Sequence, residues 1–327
     1  MFSAIRGRGI ANFLEYGRKR DAVKRASSNP LNDSKPLFII ISCKRLRRSE
    51  MQRKVALFAG YSLLALIIIA VAGAIWGALI LVNLKTSPSF PWCFPALLVV
   101  LWLLWNYLGG KGWPQSTAEK RRRLRRANPV SRTRFGWTAL TGALAITALS
   151  GIWIVFFQLF PTPPNRLLPQ NFTSSGLFTA AIIAGASLLA PITEESSIRG
   201  YLQTIVEREF SPVTAVILSS VVFAVAHVSQ GVTLPKLLVY FLVGLTFGTM
   251  AYLNNSILPV IPVHMAADIT FFLLVWPKDA TRKLVSTGYA DGWFWLHVTQ
   301  ATIFSVLTVL AFMRLKQLQS DARVLQW

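Results

Sequence analysis

The chain has 327 residues, 53% of them hydrophobic and only 14% charged, with 21 Phe and 11 Trp and a mean hydropathy of +0.48. That balance excludes a disordered chain and an ordinary soluble domain, and it points into the bilayer. Two cysteines, Cys43 and Cys93, exclude a disulfide framework and a cysteine-only metal site, and the net charge of +21 takes its meaning from where the basic residues fall.

A spanning helix needs about 20 mostly apolar residues, and the sequence predicts an all-α, polytopic transmembrane bundle of eight spans. The first 54 residues form a basic extension. It has no long apolar run of the kind a cleavable secretory signal needs, and it reads either as a bacterial cytoplasmic extension or as an organellar presequence. Three spans are expected at 55–84, 90–109 and 136–160, with a basic loop at 110–135, and the Pro-rich stretch PTPPNRLLP at 161–169 reads as a loop. The fourth span begins near Gly176 and is long and interrupted. Its first half is apolar, its second half EESSIRGYLQTIVEREF is charged, and Pro191 stands between them as an expected kink. Spans at 212–230, 235–253 and 256–276 complete a core over 176–276, and a last span at 293–313 leads to a short tail ending at 327.

Sorted by loop, 28 of the 34 basic residues fall on the side that holds both termini. Lys85, Arg166, Lys236, Lys278, Arg282 and Lys283 fall on the other. The positive-inside rule then makes both termini cytoplasmic in an integral, multi-pass protein of the plasma membrane, bacterial on the simpler reading. The runs KRLRR at 44–48 and KRRRLRR at 120–126 flank spans on that side. They read as topology signals and contacts to anionic lipid, at about 1 kcal/mol per charge near the surface. No aromatic platform is interleaved with them, so no nucleic-acid partner is expected. The pairs Gly73/Gly77 and Gly244/Gly248 are expected to let helices approach. Trp92, Trp113 and Trp293 read as interface anchors, and His297 as packing or interfacial. The Asn171 sequon would matter only in a secretory-pathway protein.

An ionisable group at membrane depth costs at least about 2.5–3.5 kcal/mol and is a functional hypothesis by default. Glu194, Glu195, Arg199, His227, His264 and Asp268 are such groups. If the fourth and fifth spans turn between Phe210 and Ser211, Glu194 and His227 stand equally far from the turn, about 25 Å at 1.5 Å per residue. From the next turn on that side, at Asn254 and Asn255, His264 and Asp268 lie at roughly 15 and 20 Å. Four polar groups from three helices thus share a layer about 10 Å deep. Glu195 and Arg199 are i,i+4 and can pair on one face, leaving Glu194 about 100° away. His264 and Asp268 are also i,i+4, so the carboxylate is expected to fix the imidazole tautomer. A carboxylate and two imidazoles in a restricted cavity can activate water as general base.

At these residues a resemblance becomes specific. EESSIRG fits an EExxxR motif, Phe223 to His227 fits FxxxH, and His264 to Asp268 fits HxxxN or HxxxD. In order and spacing they resemble the CPBP family, the CAAX prenyl protease and bacteriocin-processing intramembrane endopeptidases. The resemblance implies a helical bundle with a water-accessible cavity and hydrolysis of a peptide bond in a membrane-associated or lipid-modified protein or peptide. Glu194 with His227 would activate water, His264 and Asp268 would take the oxyanion-side positions, and Glu195 with Arg199 the supporting pair. Two features depart from the pattern. Ser196 and Ser197 replace bulky apolar residues, which makes that wall more polar. Asp268 stands for the asparagine of the prenyl-protease branch, so it is either protonated or only orients His264.

Alternative readings stay open on the sequence. The chain could be a catalytically idle scaffold or regulator of the same fold. A transporter is disfavoured, because no second inverted set of polar residues is visible. The expectation is of no cofactor and no metal, while Glu194, His227 and His264 have the side-chain types of a zinc site and would be the ligands of a zinc-dependent version of the protease.

Overall fold

A computed structural model of the chain describes residues 35–165, 175–288 and 290–324. The expected Pro-rich loop is described only as far as Asn165, and the sequon at Asn171 lies outside the described residues. All regular structure among the described residues is helical. The chain divides into two units, 1–56 and 57–327. In the first, Lys54 pairs with Glu50 at 3.2 Å, one helical turn away.

Helix α1 is Lys35–Thr86. Its membrane end is closed by Asn83, fully buried, whose amide donates to the carbonyls of Ser87 and Phe90 at 2.7 and 2.9 Å while its oxygen accepts the Cys93 amide at 2.7 Å. One polar side chain at the end of an apolar run thereby satisfies the orphan groups of a tight turn into α2, Cys93–Leu108. After a short basic helix α3, Ala118–Leu124, α4 runs Arg132–Leu159. Helix α5, Gly176–Glu194, passes through Pro191 and opens into a π-helical segment, Glu195–Leu202, before α6, Gln203–Glu209. Then come α7, Pro212–Ala226, α8, Leu234–Asn254, α9, Val260–Thr270, and α10, Gly292–Val324.

Local sequence explains the ends. Ser131, Ser175 and Ser211 cap α4, α5 and α7 by accepting the amides of Arg134, Phe178 and Thr214. Pro212 occupies the first turn of α7, where its missing N–H costs nothing. Asn255 stops α8 in the left-handed region at φ 48°.

All eight expected apolar windows form helices, and six are long and apolar enough to cross a membrane. The other two, α2 and α7, are shorter apolar helices. With 16 and 15 residues they rise about 24 and 22 Å, short of a hydrocarbon core of about 30 Å. Helix α7 stops at His227, and the backbone continues through a 3-10 turn, Val228–Gln230, and Gly231 at φ 116°.

The helices pack around an aromatic core. Trp153 of α4 stacks on Phe157 at 4.8 Å and meets Tyr240 and Phe271 edge-on at 6.0 and 5.6 Å. Helix α10 packs along α4, α7 along α8, and α9 against both α5 and α4. The Gly244/Gly248 pair acts as expected: a Cβ at Gly244 would lie 2.8 Å from Ser220 Cα, and one at Gly248 3.0 Å from the Gln203 amide oxygen. Gly73 and Gly77 do not, since a Cβ at either would meet no atom within 4 Å. Trp113 and Trp293 are 85% and 68% exposed, on the outside of the bundle.

The basic run 120–126 folds inward over much of its length. Arg121 is buried and donates to the carbonyls of Tyr107, Pro114, Lys111 and Gly112. Arg126 is buried and clamps Glu207 of α6 with two 2.9 Å bonds. Arg125 donates to the Trp105 carbonyl at 3.0 Å and lies over its ring. Lys120, Arg122 and Arg123 face out, where the two arginines pair with Glu119; the two guanidinium groups hold the Glu119 carboxyl below the usual range.

Candidate active site

The π-helical turn decides what the acidic pair faces. In it the Gln203 amide bonds the carbonyl of Ile198, five residues back. Glu195, Ser196, Ser197 and Arg199 are fully buried. Glu195 Oε1 lies 3.1 Å from Arg199 Nη1, the pair expected from i,i+4 spacing. The guanidinium reaches the Gly244 carbonyl at 3.4 Å and lies 4.3 Å over the Phe223 ring. Phe223, the first residue of the FxxxH motif, is thereby a platform for the arginine. Gly200 allows the basic connector to seat against this turn, since a Cβ there would lie 3.0 Å from the carbonyls of both Leu124 and Arg125.

His264 of α9 joins the acidic pair. Its Nδ1 donates to Glu195 Oε1 at 2.9 Å, so one carboxylate oxygen holds both Arg199 and His264. This corrects the expected partner. Asp268, one turn along α9, lies on the other side of the ring, with Oδ1 3.6 Å from Nε2, and Glu194 Oε2 is 3.8 Å from the same nitrogen. Both separations exceed a hydrogen bond. The tautomer is set from across the bundle by Glu195, because i,i+4 spacing brings the Asp268 carboxylate only as far as Nε2.

Glu194, His227, His264 and Asp268 line one cavity of about 100 Å³, walled largely by apolar side chains that include Phe223, Phe247 and Phe271. Glu195 and Arg199 stand behind that wall. The expected layer of polar groups from α5, α7 and α9 is therefore a single chamber. Glu194 Oε2, Asp268 Oδ2 and Glu195 Oε2 are each buried without a hydrogen-bond partner.

His227 follows the last residue of α7, where the helix has ended. Its Nδ1 donates to the Phe223 carbonyl at 2.8 Å. A carbonyl only accepts, so the neutral ring carries its proton on Nδ1 and leaves Nε2 as the basic nitrogen. Tyr240 of α8 stacks on the imidazole at 4.3 Å and 24°. The tyrosine hydroxyl is tied to Asn165 at 2.8 Å and to the Gln230 side chain, and buried Lys236 donates to the Gln230 carbonyl at 2.8 Å. Sequence reasoning missed Tyr240, Gln230, Asn165 and Lys236. The only signal was a lysine one turn before a tyrosine at the start of an apolar helix, which reads equally well as an interfacial anchor.

Residues 174–270 match the family model described as type II CAAX prenyl endopeptidase Rce1-like. That segment is similar to the CAAX protease family. It runs from the start of α5 to the end of α9 and holds all three motifs. Searches of the curated proteins and of the solved structures give no match. Together with its apolar helices, the CAAX-type segment makes the chain an integral membrane protein.

A zinc version would need Glu194, His227 and His264 on one ion. Among the described residues no three His, Cys, Asp or Glu side chains are grouped to hold an ion. His264 and His227 each commit Nδ1, to Glu195 and to a carbonyl, and leave Nε2 as the nitrogen a metal would take.

Proposed function

We propose that the chain is an intramembrane endopeptidase that hydrolyses a peptide bond of a membrane-associated or lipid-modified protein or peptide. The observation that carries this reading is the convergence of Glu194, His227, His264 and Asp268, from three helices, on one largely apolar cavity. The family match over the same residues supports the class of reaction.

In the proposed step Glu194 accepts a proton from a water that His227 Nε2 orients by accepting its second hydrogen. The hydroxide oxygen bonds to the scissile carbonyl carbon, and the carbonyl oxygen becomes an oxyanion on the side of His264 and Asp268. His264, its Nδ1–H given to Glu195, offers Nε2–H as the imidazolium. The carbon–nitrogen bond then breaks, and the nitrogen takes the proton that Glu194 holds. The products are a carboxylate and an amine. The low dielectric of the apolar walls strengthens each of these interactions relative to water.

The test is quantitative proteomics of membranes that carry the native protein or Glu194→Gln. One or a few membrane proteins should accumulate as uncleaved precursors with the variant, and cleavage by the purified native protein should persist in strong chelator. A precursor profile identical to that of the native protein would make the chain a scaffold. Activity lost to chelator and restored by Zn²⁺ would overturn the metal-independent step.

A further inference from the structure

The chamber of Glu194 is rich in acceptors and poor in donors. Glu194 and Asp268 each keep an unbonded carboxylate oxygen, and His227 presents Nε2 as a base. On the donor side, Tyr240 gives its hydroxyl hydrogen to the Gln230 side chain, His227 gives Nδ1–H to the Phe223 carbonyl, and His264 gives Nδ1–H to Glu195. Apart from the Nε2–H of a His264 imidazolium, two donors stay uncommitted among the described residues that line the chamber: the Trp276 indole and the Gln230 amide.

Trp276 opens a 3-10 turn after α9, Trp276–Thr281, and is 8% exposed. The turn is tied on both sides of the indole. Arg282 Nη2 donates to the Val275 carbonyl at 3.0 Å, and Asp279 accepts Trp153 Nε1 at 3.1 Å and Arg282 Nε at 3.0 Å. Phe272 packs on the ring at 4.9 Å. The two neighbouring tryptophans therefore differ: Trp153 has its N–H filled by Asp279, whereas Trp276 Nε1 is buried with no partner. A buried donor without an acceptor is costly and rare, and this one lines a cavity.

Gln230 reaches the same chamber from the 3-10 turn that follows His227. Its N–H bonds the His227 carbonyl at 3.0 Å, and its own carbonyl takes Lys236 Nζ at 2.8 Å. Its side-chain oxygen takes the Tyr240 hydroxyl and the Asn165 amide, the latter at 3.3 Å. The oxygen is held twice over, so the amide is set and its free edge is Nε2 with two hydrogens.

A peptide drawn into a largely apolar chamber brings one carbonyl per residue out of water, and each needs a donor. The catalytic groups supply none to spare, because His264 serves the reacting carbonyl. We propose that Trp276 Nε1 and Gln230 Nε2 are substrate-binding donors that take the backbone carbonyls flanking the reacting one. This rests on the protease reading and deepens it: the chamber recognises extended peptide backbone, through two residues outside the three motifs.

The experiment uses the full chain in detergent with a synthetic peptide that spans the cleavage site of the precursor accumulated by Glu194→Gln. Cleavage kinetics are read on the active chain, and binding of the uncleaved peptide on Glu194→Gln by fluorescence anisotropy. Trp276→Phe should raise KM about three- to tenfold with kcat nearly unchanged, as loss of a hydrogen bond made equally in ground and transition states requires. Benzothienylalanine at 276 keeps the shape of the indole and replaces N–H by sulfur. It should act in the same way and leave the unfolding midpoint near that of the native protein, because the lost hydrogen has no partner in the protein. Gln230→Met should raise KM by a similar factor. Gln230→Glu keeps an oxygen for Tyr240 and Asn165 but turns the donor edge into an acceptor, so it should weaken binding more than Gln230→Met. Each KM change should recur as a weaker Kd in the Glu194→Gln background. Native KM and binding with benzothienylalanine at 276 or with Gln230→Glu, or a fall in kcat at unchanged KM, would overturn the proposal while cleavage by the native chain leaves the protease reading standing. No cleavage by the native chain would overturn both.

Discussion

Two clusters of charge sit side by side in this molecule and are treated in opposite ways. In the basic connector, all three guanidinium nitrogens of Arg121 bond carbonyls, and all three of Arg126 are taken by Asn255 and Glu207. Glu207 is in turn filled by Arg126 and by Gln203 at 2.8 Å. In the chamber, Glu194, Glu195 and Asp268 each keep one buried oxygen unbonded. Buried polar groups in native proteins are almost always satisfied. Arg121, Arg126 and Glu207, which hold helices together, are saturated, although Arg125 Nε beside them is not, whereas Glu194 and Asp268, which line the cavity, keep hydrogen-bonding capacity in reserve.

The sharpest way to break that contrast is to compare the adjacent acids. Glu194→Gln keeps volume and hydrogen bonding but removes the base, so peptide cleavage should fall by about 10² to 10⁴ while the unfolding midpoint stays near that of the native protein. Glu195→Gln should behave differently, because Arg199 and His264 both lose their shared partner. Leaving a buried charge unpaired costs about 3–5 kcal/mol, seen as loss of folded protein in thermal unfolding. Joint replacement, Glu195→Leu with Arg199→Met, should recover much of that stability without recovering cleavage, since His264 Nδ1 remains unheld. Activity in the double variant would show that Glu195 does no more than pair with the arginine.

The connector should respond in the reverse sense. Glu207→Ala takes the clamp from Arg126 and should cost about 1–3 kcal/mol of stability, with cleavage per folded molecule unchanged. A loss of turnover larger than the loss of folded protein would mean that the connector also tunes the chamber.

The smallest effect is expected at Tyr240, which stacks on His227 and lines the cavity with it. Tyr240→Leu removes a stack worth about 0.5–1.5 kcal/mol and should lower kcat two- to tenfold with KM unchanged. Tyr240→Phe keeps the ring and gives up the bonds to Asn165 and Gln230, so it should retain most of the activity. Equal losses in both would shift the role from the ring to the hydroxyl.

The all-helical membrane architecture follows from the sequence alone, because hydropathy over a 20-residue window is a local quantity. So does the pairing of Glu195 with Arg199, because one helical turn spans it. The grouping of Glu194, His227, His264 and Asp268 in one layer was legible from helix rise and the positions of two turns, a count that tolerates errors of a residue or two. What one chain position says about another 69 residues away was not legible. That Glu195 reaches the near nitrogen of His264, and Asp268 only the far one, depends on how closely α5, α8 and α9 approach. The seat of α9 is set in part by a side chain that is missing, at Gly142 of α4, where a Cβ would lie 2.3 Å from Val263, and the position of Glu195 by the π-helical turn. The inward fold of the basic run was hidden for the same reason. Arg121 and Arg126 read as surface charge until tertiary structure supplies the carbonyls and the carboxylate that fill them.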